Sequence, residues 1–142
     1  MASSMNPYKA YRETQIKTAG QGKLIVMLYD EAIRQVDAAI GGMEGETSAL
    51  DTISNALIRA QDLVTELMVS LDFEKGGEIA QGLFSLYMYF NQQLVDANIK
   101  KDPEPLREIR KMLTELRTAW DQISGTSPPG DDSPKPGVNI AG

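Results

Sequence analysis

Residues 50–71 read LDTISNALIRAQDLVTELMVSL, and apolar side chains recur along this stretch at alternating steps of three and four. The stripe consists of Leu50, Ile53, Leu57, Ala60, Val64, Leu67 and Leu71. Such spacing places all of them on one side of an α-helix and is typical of helices that cross their neighbours at a shallow angle. Further along the chain the pattern recurs with Leu106, Ile109, Leu113, Leu116, Trp120 and Ile123. Two helices of a bundle are predicted from these patterns.

Proline and glycine divide the rest of the chain. Residues 8–102 contain no proline, which favours helix throughout this stretch. Glycine pairs at 41–42 and 76–77 interrupt it, and Asp102 before Pro103 has the residue types of a helix cap and a first helical position. No useful length alternates with period two, so no strand is expected. The fold class is therefore all-α, an antiparallel up-down four-helix bundle. Its helices are predicted near residues 20–40, 47–71, 76–100 and 103–124.

Both ends of the chain differ from this body. Pro7 is predicted to begin a short separate helix that carries Tyr8 and Tyr11, followed by a hinge at residues 17–22. The last residues are rich in proline and glycine, so burial cannot offset the entropy of ordering them. Three parts are expected, namely an N-terminal segment with a short helix at 1–19, the four-helix bundle at 20–124 and a disordered tail at 125–142.

Composition argues against most enzyme chemistry. The 142 residues include no cysteine and no histidine, so a disulfide, a zinc site of the usual ligands and a Cys or His nucleophile are all excluded. Gly20-Gln21-Gly22 follows no predicted strand and is interpreted as a hinge, not as a phosphate-binding loop. Pairs of carboxylates read as solvated helix faces. We expect a protein that is not an enzyme and that uses neither a cofactor nor a metal.

Charge and hydropathy limit the location and the partners. The formal net charge of −6 repels the phosphates of nucleic acid and of anionic lipid. The N-terminus has neither the basic nor the apolar region of a signal peptide. The longest apolar run, Leu24–Tyr29, is far shorter than the about 20 residues that span a bilayer. We expect a soluble cytoplasmic protein that neither binds nucleic acid nor inserts into a membrane.

The third predicted helix has more apolar surface than one core face needs. Its predicted core stripe consists of Ile79, Leu83, Leu86, Phe90, Leu94 and Ala97. A second stripe, on the opposite side, consists of Phe84, Met88, Val95 and Ile99. Tyr87 and Tyr89 lie between the two stripes. Two apolar faces on one helix predict contacts on both sides of it.

The first helix shows a similar excess. One of its faces can hold Ile25, Leu28, Ala32, Val36 and Ala39. A second face, in another direction, can hold Val26, Tyr29, Ile33 and Ile40. The first and third helices are diagonal neighbours in an up-down bundle, so their outer faces point away from each other. A partner that uses both faces must wrap round the bundle, which a long unfolded chain can do.

Three other uses of these spare faces are open at this point. The third helix can be central in an irregular bundle and buried on all sides. Two copies can join through their second stripes, which would make the protein a homodimeric structural bundle with no client. The segment that carries Tyr8 and Tyr11 can fold back over one of the faces, and a partner can displace such a tethered cover.

The string Leu71-Asp-Phe-Glu-Lys-Gly-Gly-Glu-Ile-Ala80 closely resembles that of a known family. Weaker matches lie in Tyr8-Lys-Ala-Tyr11, Met27-Leu-Tyr-Asp30, Leu86-Tyr-Met-Tyr89, Ala97-Asn98, Asp102-Pro-Glu-Pro-Leu106 and Ala119-Trp120. Over residues 7–124, in order and without large gaps, the chain resembles the flagellar export chaperone family FliS.

This resemblance implies a four-helix bundle that binds the disordered C-terminal segment of flagellin in the cytoplasm. It implies that binding prevents premature polymerisation and that the protein helps present flagellin to the gate of the flagellar type III secretion system. Together with the spare faces, it assigns flagellin binding to Val26, Tyr29, Ile33, Phe84, Tyr87, Met88, Val95 and Ile99. Tyr8 and Tyr11 match the family's N-terminal positions for a cover and an export-gate contact. The free protein is expected to be mainly a monomer.

Overall fold

The computed structural model describes residues 7–45 and 49–126, with side chains for residues 21–45 and 49–124. Its helices are α1 (Pro7–Glu44), α2 (Leu50–Val69), α3 (Phe73–Lys100) and α4 (Glu104–Thr126). Each helix packs against the next one in the chain, and α4 also packs against α1, so α1 and α3 lie diagonally opposite. The described residues contain no strand. The predicted all-α class and up-down bundle are confirmed.

The first helix differs from the prediction at both of its ends. Pro7 begins α1 as expected, but the helix continues without a break to Glu44. The predicted hinge at residues 17–22 is therefore wrong, and so is the separate short helix before it. Once a helix has formed, each added residue costs little, so Gly20 and Gly22 do not end it. Tyr8 and Tyr11 lie in this helix, and their side chains are outside the described ones.

The glycine pair near the end of α1 does not stop the helix, and its second member, Gly42, serves packing. A Cβ atom built on Gly42 would lie 2.7 Å from Cγ1 of Ile53 in α2. A side chain at position 42 would require the Ile53 side chain or the helices to shift. Gly42 therefore permits the close approach of α1 and α2, which outweighs the cost of about 1 kcal/mol that glycine carries inside a helix.

The connection between α3 and α4 follows the predicted capping pattern. Lys101 ends α3 in the left-handed conformation, with φ of 54°. The Asp102 carboxylate then accepts a hydrogen bond from the backbone N–H of Glu104 at 3.1 Å. Helix α4 continues to Thr126, beyond the predicted end at residue 124. The remainder of the predicted tail, residues 127–142, lies outside the described residues.

All four helices contribute to one core. The stripes predicted for α2 and α4 are largely buried, and Leu57, Leu67 and Leu113 are fully inaccessible. The exceptions are Leu50, which is exposed, and Leu71, Leu116 and Ile123, which are half-buried. None of the helices, over the residues described, has the length and apolar character needed to cross a membrane.

Ion pairs set the register between α1 and α4. Arg117 donates to Asp30 at 2.7 Å, and Arg110 donates to Asp37 at 2.9 Å. Arg107 pairs with Glu44 further along the same seam. The three acids are spaced by seven residues, or two helical turns, on α1. Such exposed pairs each contribute at most about 1 kcal/mol, so their main effect is to align the two helices.

A pair of tyrosines joins the diagonal helices at the centre of the bundle. The Tyr29 and Tyr87 hydroxyl groups lie 2.5 Å apart, and both side chains are buried. Burial raises the pKa of Tyr87 to about 12. Burial and the neighbouring Tyr87 raise the pKa of Tyr29 further, against an opposing hydrogen bond with Trp120. Each hydroxyl gives the other the partner that a buried polar group requires.

The raised pKa values predict that the protein loses stability at high pH. Unfolded tyrosines ionise near pH 10, whereas the folded pair keeps its protons to about pH 12. Titration of this pair should therefore leave the unfolding free energy constant with pH below pH 10. Above pH 10 the unfolding free energy should fall by up to about 1.4 kcal/mol per pH unit for each tyrosine. Denaturant titrations between pH 9 and 11.5 measure the slope.

The double variant Tyr29→Phe/Tyr87→Phe tests the origin of that slope. We expect it to flatten the decline in unfolding free energy relative to the parent, because the two phenols no longer ionise on unfolding. The matched control is Tyr89→Phe, which removes an exposed phenol from the same helix. Equal slopes in the double variant and in the parent would contradict the assignment.

A second prediction separates the core face of α3 from its outer face. Phe90 is fully buried, whereas Met88 on the same helix is 51% exposed. Phe90→Ala should lower the unfolding free energy by about 3–5 kcal/mol, because it removes contacts and leaves a cavity. Met88→Ala should change it by no more than about 0.5 kcal/mol. Urea denaturation measures both values, and a similar loss in the two variants would mean that α3 is rotated.

Candidate functional site: an apolar stripe on α3

Four apolar side chains form an exposed row on α3. The exposed fractions are 37% for Phe84, 51% for Met88, 42% for Val95 and 76% for Ile99. They are spaced by four, seven and four residues, so they lie on one side of the helix along about 22 Å of its axis. The second apolar face predicted for the third helix is therefore exposed in the single chain. We call these four residues the α3 stripe.

The core face of α3 agrees only in part with the predicted one. Its fully buried members are Ala80, Tyr87, Phe90, Leu94 and Ala97. Ile79, predicted to lie in the core, is 48% exposed, and Leu83 and Leu86 are only half-buried. Tyr87 was expected between the two stripes and instead points into the bundle. Ile79 has the same helical direction as the buried Ala97, five turns later. Its exposure is therefore a local feature of the start of α3, beside the non-helical Gly77, and not an effect of the rotation of the helix.

The spare face predicted for α1 is absent. Val26 and Tyr29 are buried, and Ile33 is half-buried against the core. Helix α1 packs between α2 and α4, so both of its apolar faces are covered within the chain. Val26, Tyr29 and Tyr87 are thus not available on the surface that was assigned to flagellin. Of the residues that were assigned to flagellin binding, the candidate site therefore retains only the α3 stripe.

Sequence reasoning missed the apolar side chains that α2 places beside the stripe. Ile58 and Val69 are 49% and 65% exposed. Two hydrogen bonds fix the antiparallel register of α2 and α3, from Ser54 to Asn98 at 3.1 Å and from Asn91 to Thr65 at 3.2 Å. An eleven-residue separation links Ile58 to Val69, as it links Phe84 to Val95. This equal spacing in the two helices is the feature of the sequence that could have predicted the contribution of α2 to this surface.

The two hydrogen bonds also show that these residues share one surface. Ile58 and Val69 follow Ser54 and Thr65 by four residues, so each lies on the same face as the residue that bonds to α3. Counted from these two bonds, Ile58 lies between the levels of Leu94 and Asn98, and Val69 lies between the levels of Leu83 and Tyr87. Val95 and Phe84 fall within these two intervals. We call the surface formed by Ile58, Val69 and the α3 stripe the α2–α3 groove.

The turn before α3 lies at the Phe84 end of the groove. The Asp72 carboxylate caps the helix by accepting from the backbone N–H groups of Glu74 and Lys75. Gly77 then has φ of 51° and ψ of −124°, a conformation that favours glycine and bends the helix after its first turn. The Phe73 ring meets the Phe84 ring edge-on, with 6.0 Å between their centroids. The Gly-Gly string found in the sequence therefore positions an aromatic pair.

Charges are unevenly placed around the groove. Asp62, on the exposed side of α2, lies near the level of Asn91 and has no ion-pair partner among the described residues. At the Ile99 end, the Lys101 ammonium donates to the Asn98 side chain at 2.7 Å. The middle of the groove is therefore acidic, and the positive charge lies at one end.

The sequence is similar to known proteins over the residues that form this bundle. The family model described as "Flagellar protein FliS" matches residues 4–127. The flagellar secretion chaperone FliS of Bacillus subtilis is 32% identical over 117 residues, covering 82% of this chain and 85% of that protein. The protein of the same name from Salmonella typhimurium is 35% identical over 114 residues, covering 79% and 82%. That of Vibrio cholerae is 31% identical over 124 residues, covering 87% and 90%.

These matches extend over the whole bundle. The family model covers α2, α3 and α4 completely and α1 from its first residue. The α2–α3 groove and the Gly77 bend lie within the matched region. On this evidence, the chain belongs to the FliS family.

Proposed function

We propose that this protein is a cytoplasmic chaperone that binds the disordered C-terminal segment of flagellin. Binding prevents premature polymerisation and assists export by the flagellar type III secretion system. The similar proteins are named flagellar secretion chaperones, and flagellin is the client that the family resemblance implies. The observation that carries the proposal is the α3 stripe, an apolar surface exposed by a chain whose core is already complete.

The stripe suits a client that is unfolded before it binds. Each side chain of this size contributes on the order of 1.5–3 kcal/mol when it is fully buried, and the four stripe residues retain much of that area. A disordered client loses conformational entropy as it becomes ordered on this surface, and that loss offsets a large part of the gain. The net affinity is then strong enough to hold the client and weak enough to release it for export.

The action is physical and not chemical. The chain has no cysteine or histidine, and the candidate surface consists of apolar side chains with exposed hydroxyl and amide groups beside them. A chaperone of this kind acts by covering the client's polymerising segment. In this proposal the free chain is a monomer, because the stripe must be uncovered for a client to bind it.

Val95→Glu tests the stripe directly. A charge placed in the middle of the stripe would have to be desolvated on contact with the client, so we expect flagellin binding to weaken at least tenfold. Val95 is 42% exposed, and thus the unfolding free energy should change by no more than about 0.5 kcal/mol. Calorimetric titration with a peptide of the flagellin C-terminal segment measures the affinity, and thermal unfolding measures the stability.

Gln122→Glu is the matched control. It adds the same charge at an exposed position on α4, away from the α3 stripe, and should leave flagellin binding unchanged. Equal weakening by both variants would contradict the assignment of the stripe. Sedimentation of the free chain at micromolar concentration tests the structural alternative, since a stable dimer that ignores flagellin would replace the chaperone proposal.

The N-terminal residues have a separate test. Deletion of residues 1–17 removes Tyr8 and Tyr11 and leaves the α2–α3 groove intact. We expect the truncated protein to bind flagellin with unchanged affinity but to reduce flagellin secretion in cells, because the proposed contact with the export gate is lost. Secreted flagellin and swimming motility are the measurements. Normal secretion by the truncated protein would remove both tyrosines from the mechanism.

A further inference from the structure

We propose that residues 127–142 fold back from the end of α4 and place Val138 and Ile140 in an apolar cleft between α3 and α4. These residues lie outside the described part of the chain. Three features support the contact, namely the cleft itself, the point at which α4 ends and the sequence that follows. The contact is independent of a flagellin client, because it lies within one chain and on the other flank of α3 from the α2–α3 groove.

The cleft runs along the least tightly packed side of the bundle, where α3 and α4 make few contacts. On α3, Asn91 bonds to α2, and Leu86 lies about 140° round the helix from Asn91. On α4, Arg110 bonds to α1, and Met112 lies about 160° round the helix from Arg110. Leu86 and Met112 are therefore on the flanks by which α3 and α4 adjoin each other.

Apolar side chains line both sides of this cleft. Leu86, Met112 and Leu116 touch the core but are only half-buried. Tyr89, about one turn after Leu86, is 42% exposed. Because residues 101–103 alone join the two helices, residues equally far from this connection lie at similar levels, and Leu116 falls between the levels of Leu86 and Tyr89. We call the surface formed by Leu86, Tyr89, Met112 and Leu116 the α3–α4 cleft.

The residues that follow α4 begin within reach of the cleft. Helix α4 ends at Thr126, so Leu116 and Met112 lie about 15 Å and 21 Å back along its axis. Eleven residues separate Thr126 from Val138, and a flexible chain of that length has a root-mean-square span of about 20 Å. A tether whose span matches the distance to a site gives the highest effective concentration there. Even a weak contact is then populated.

The sequence after α4 also provides a reversal of direction. Pro128-Pro129-Gly130-Asp131 has proline at the second position and glycine at the third, which is the signature of a type II turn. A turn at this point directs the later residues back along the bundle instead of away from it.

The residues beyond that turn have the chemistry of the cleft. Val138 and Ile140 alternate with Asn139, so an extended segment presents both apolar side chains to the same side. Pro134 and Pro136 favour an extended conformation and lower the entropy lost on docking. Proline-rich segments dock on aromatic surfaces, and Tyr89 provides an exposed ring. Only the anchored residues become ordered, so the proline and glycine content of the remainder is no obstacle.

Charge supports the same placement. Lys135 is the one basic residue in 127–142. Glu108 and Glu115 lie four residues before and three after Met112, so both adjoin it on the surface of α4. Both are exposed and neither forms an ion pair with another described residue. Lys135 entering beside Met112 meets these carboxylates with complementary charge.

Because the sequence has no cysteine, introduced thiols test the contact directly in the full-length chain. Ala141→Cys combined with Gln93→Cys places one thiol just beyond the anchors and the other on the face of α3 that bears Leu86. The matched control combines Ala141→Cys with Gln92→Cys, an exposed glutamine about 120° round the helix from Leu86. Positions 92 and 93 are almost equally far from the end of α4, so a freely moving segment meets both at similar rates.

We expect the Gln93 pair to form its disulfide at least fivefold faster than the Gln92 pair. Each rate is first corrected for the reactivity of the helix thiol towards a small disulfide reagent. Since a disulfide requires Cα atoms within about 7 Å of each other, the corrected rate reports the time spent at the cleft. Val138→Ser/Ile140→Ser should abolish the difference, and Asn139→Ser should preserve it. Equal corrected rates for the two pairs would overturn the proposal.

Glu115→Lys tests the charge contact in the Gln93 pair. It should slow disulfide formation about twofold, and the further change Lys135→Glu should restore the rate because the charges are then exchanged. A failure to restore it would exclude the contact of Lys135 with α4.

The mass of the oxidised product shows which copy of the chain carries the cleft. A monomeric product, formed at a rate that does not depend on protein concentration, supports a contact within one chain. A dimeric product whose rate of formation rises with concentration would mean that the segment docks on a second copy, and would overturn the proposal.

Discussion

The contact between the Tyr29 and Tyr87 hydroxyl groups fixes the rotation of α3, and the candidate site depends on that rotation. The two helices are diagonal neighbours with few other contacts, yet these side chains meet at 2.5 Å in the core. A buried hydroxyl without a partner costs about 1–3 kcal/mol, so α3 is held with Tyr87 inward. Met88 is the next residue, about 100° further round the helix, and this places the stripe toward solvent.

The number of neighbours decides which apolar residues stay exposed. Helix α1 lies between α2 and α4, and three ion pairs also join it to α4. Its second apolar face is therefore needed within the chain. Helix α3 packs closely on α2 but only loosely on α4. The same excess of apolar residues thus adds to the core in α1 and forms a surface in α3.

Much of the fold could be predicted from spacing because two of the four helices combine a clear apolar stripe with a polar face. Helices α2 and α4 show this pattern, and Asp102 marks the start of α4. The α3 stripe was also predictable, since Phe84, Met88, Val95 and Ile99 share one direction. The phase of α1 was not, because the run from Leu24 to Tyr29 is apolar on every side and any rotation fits it equally well.

The other differences between the predicted and the observed structure arise from contacts between helices, which the periodicity of a single helix does not reveal. Tyr87 has a polar atom and so resembles a surface residue until its partner across the bundle is known. Gly42 resembles a helix stop, but its meaning depends on Ile53 of another helix. The contribution of α2 to the groove depends on the register of two helices, which the bonds of Ser54 and Thr65 establish.

The loose packing of α3 on α4 has a consequence for how the molecule deforms. Cooperative units with fewer buried contacts open at lower free energy than the rest of a protein, and no ion pair joins these two helices among the described residues. The helix that bears the stripe is then also the one with the greatest freedom to tilt. Small rigid-body movements of α3 can accommodate client segments of different size, while α1 and α4, which three ion pairs join, keep their arrangement.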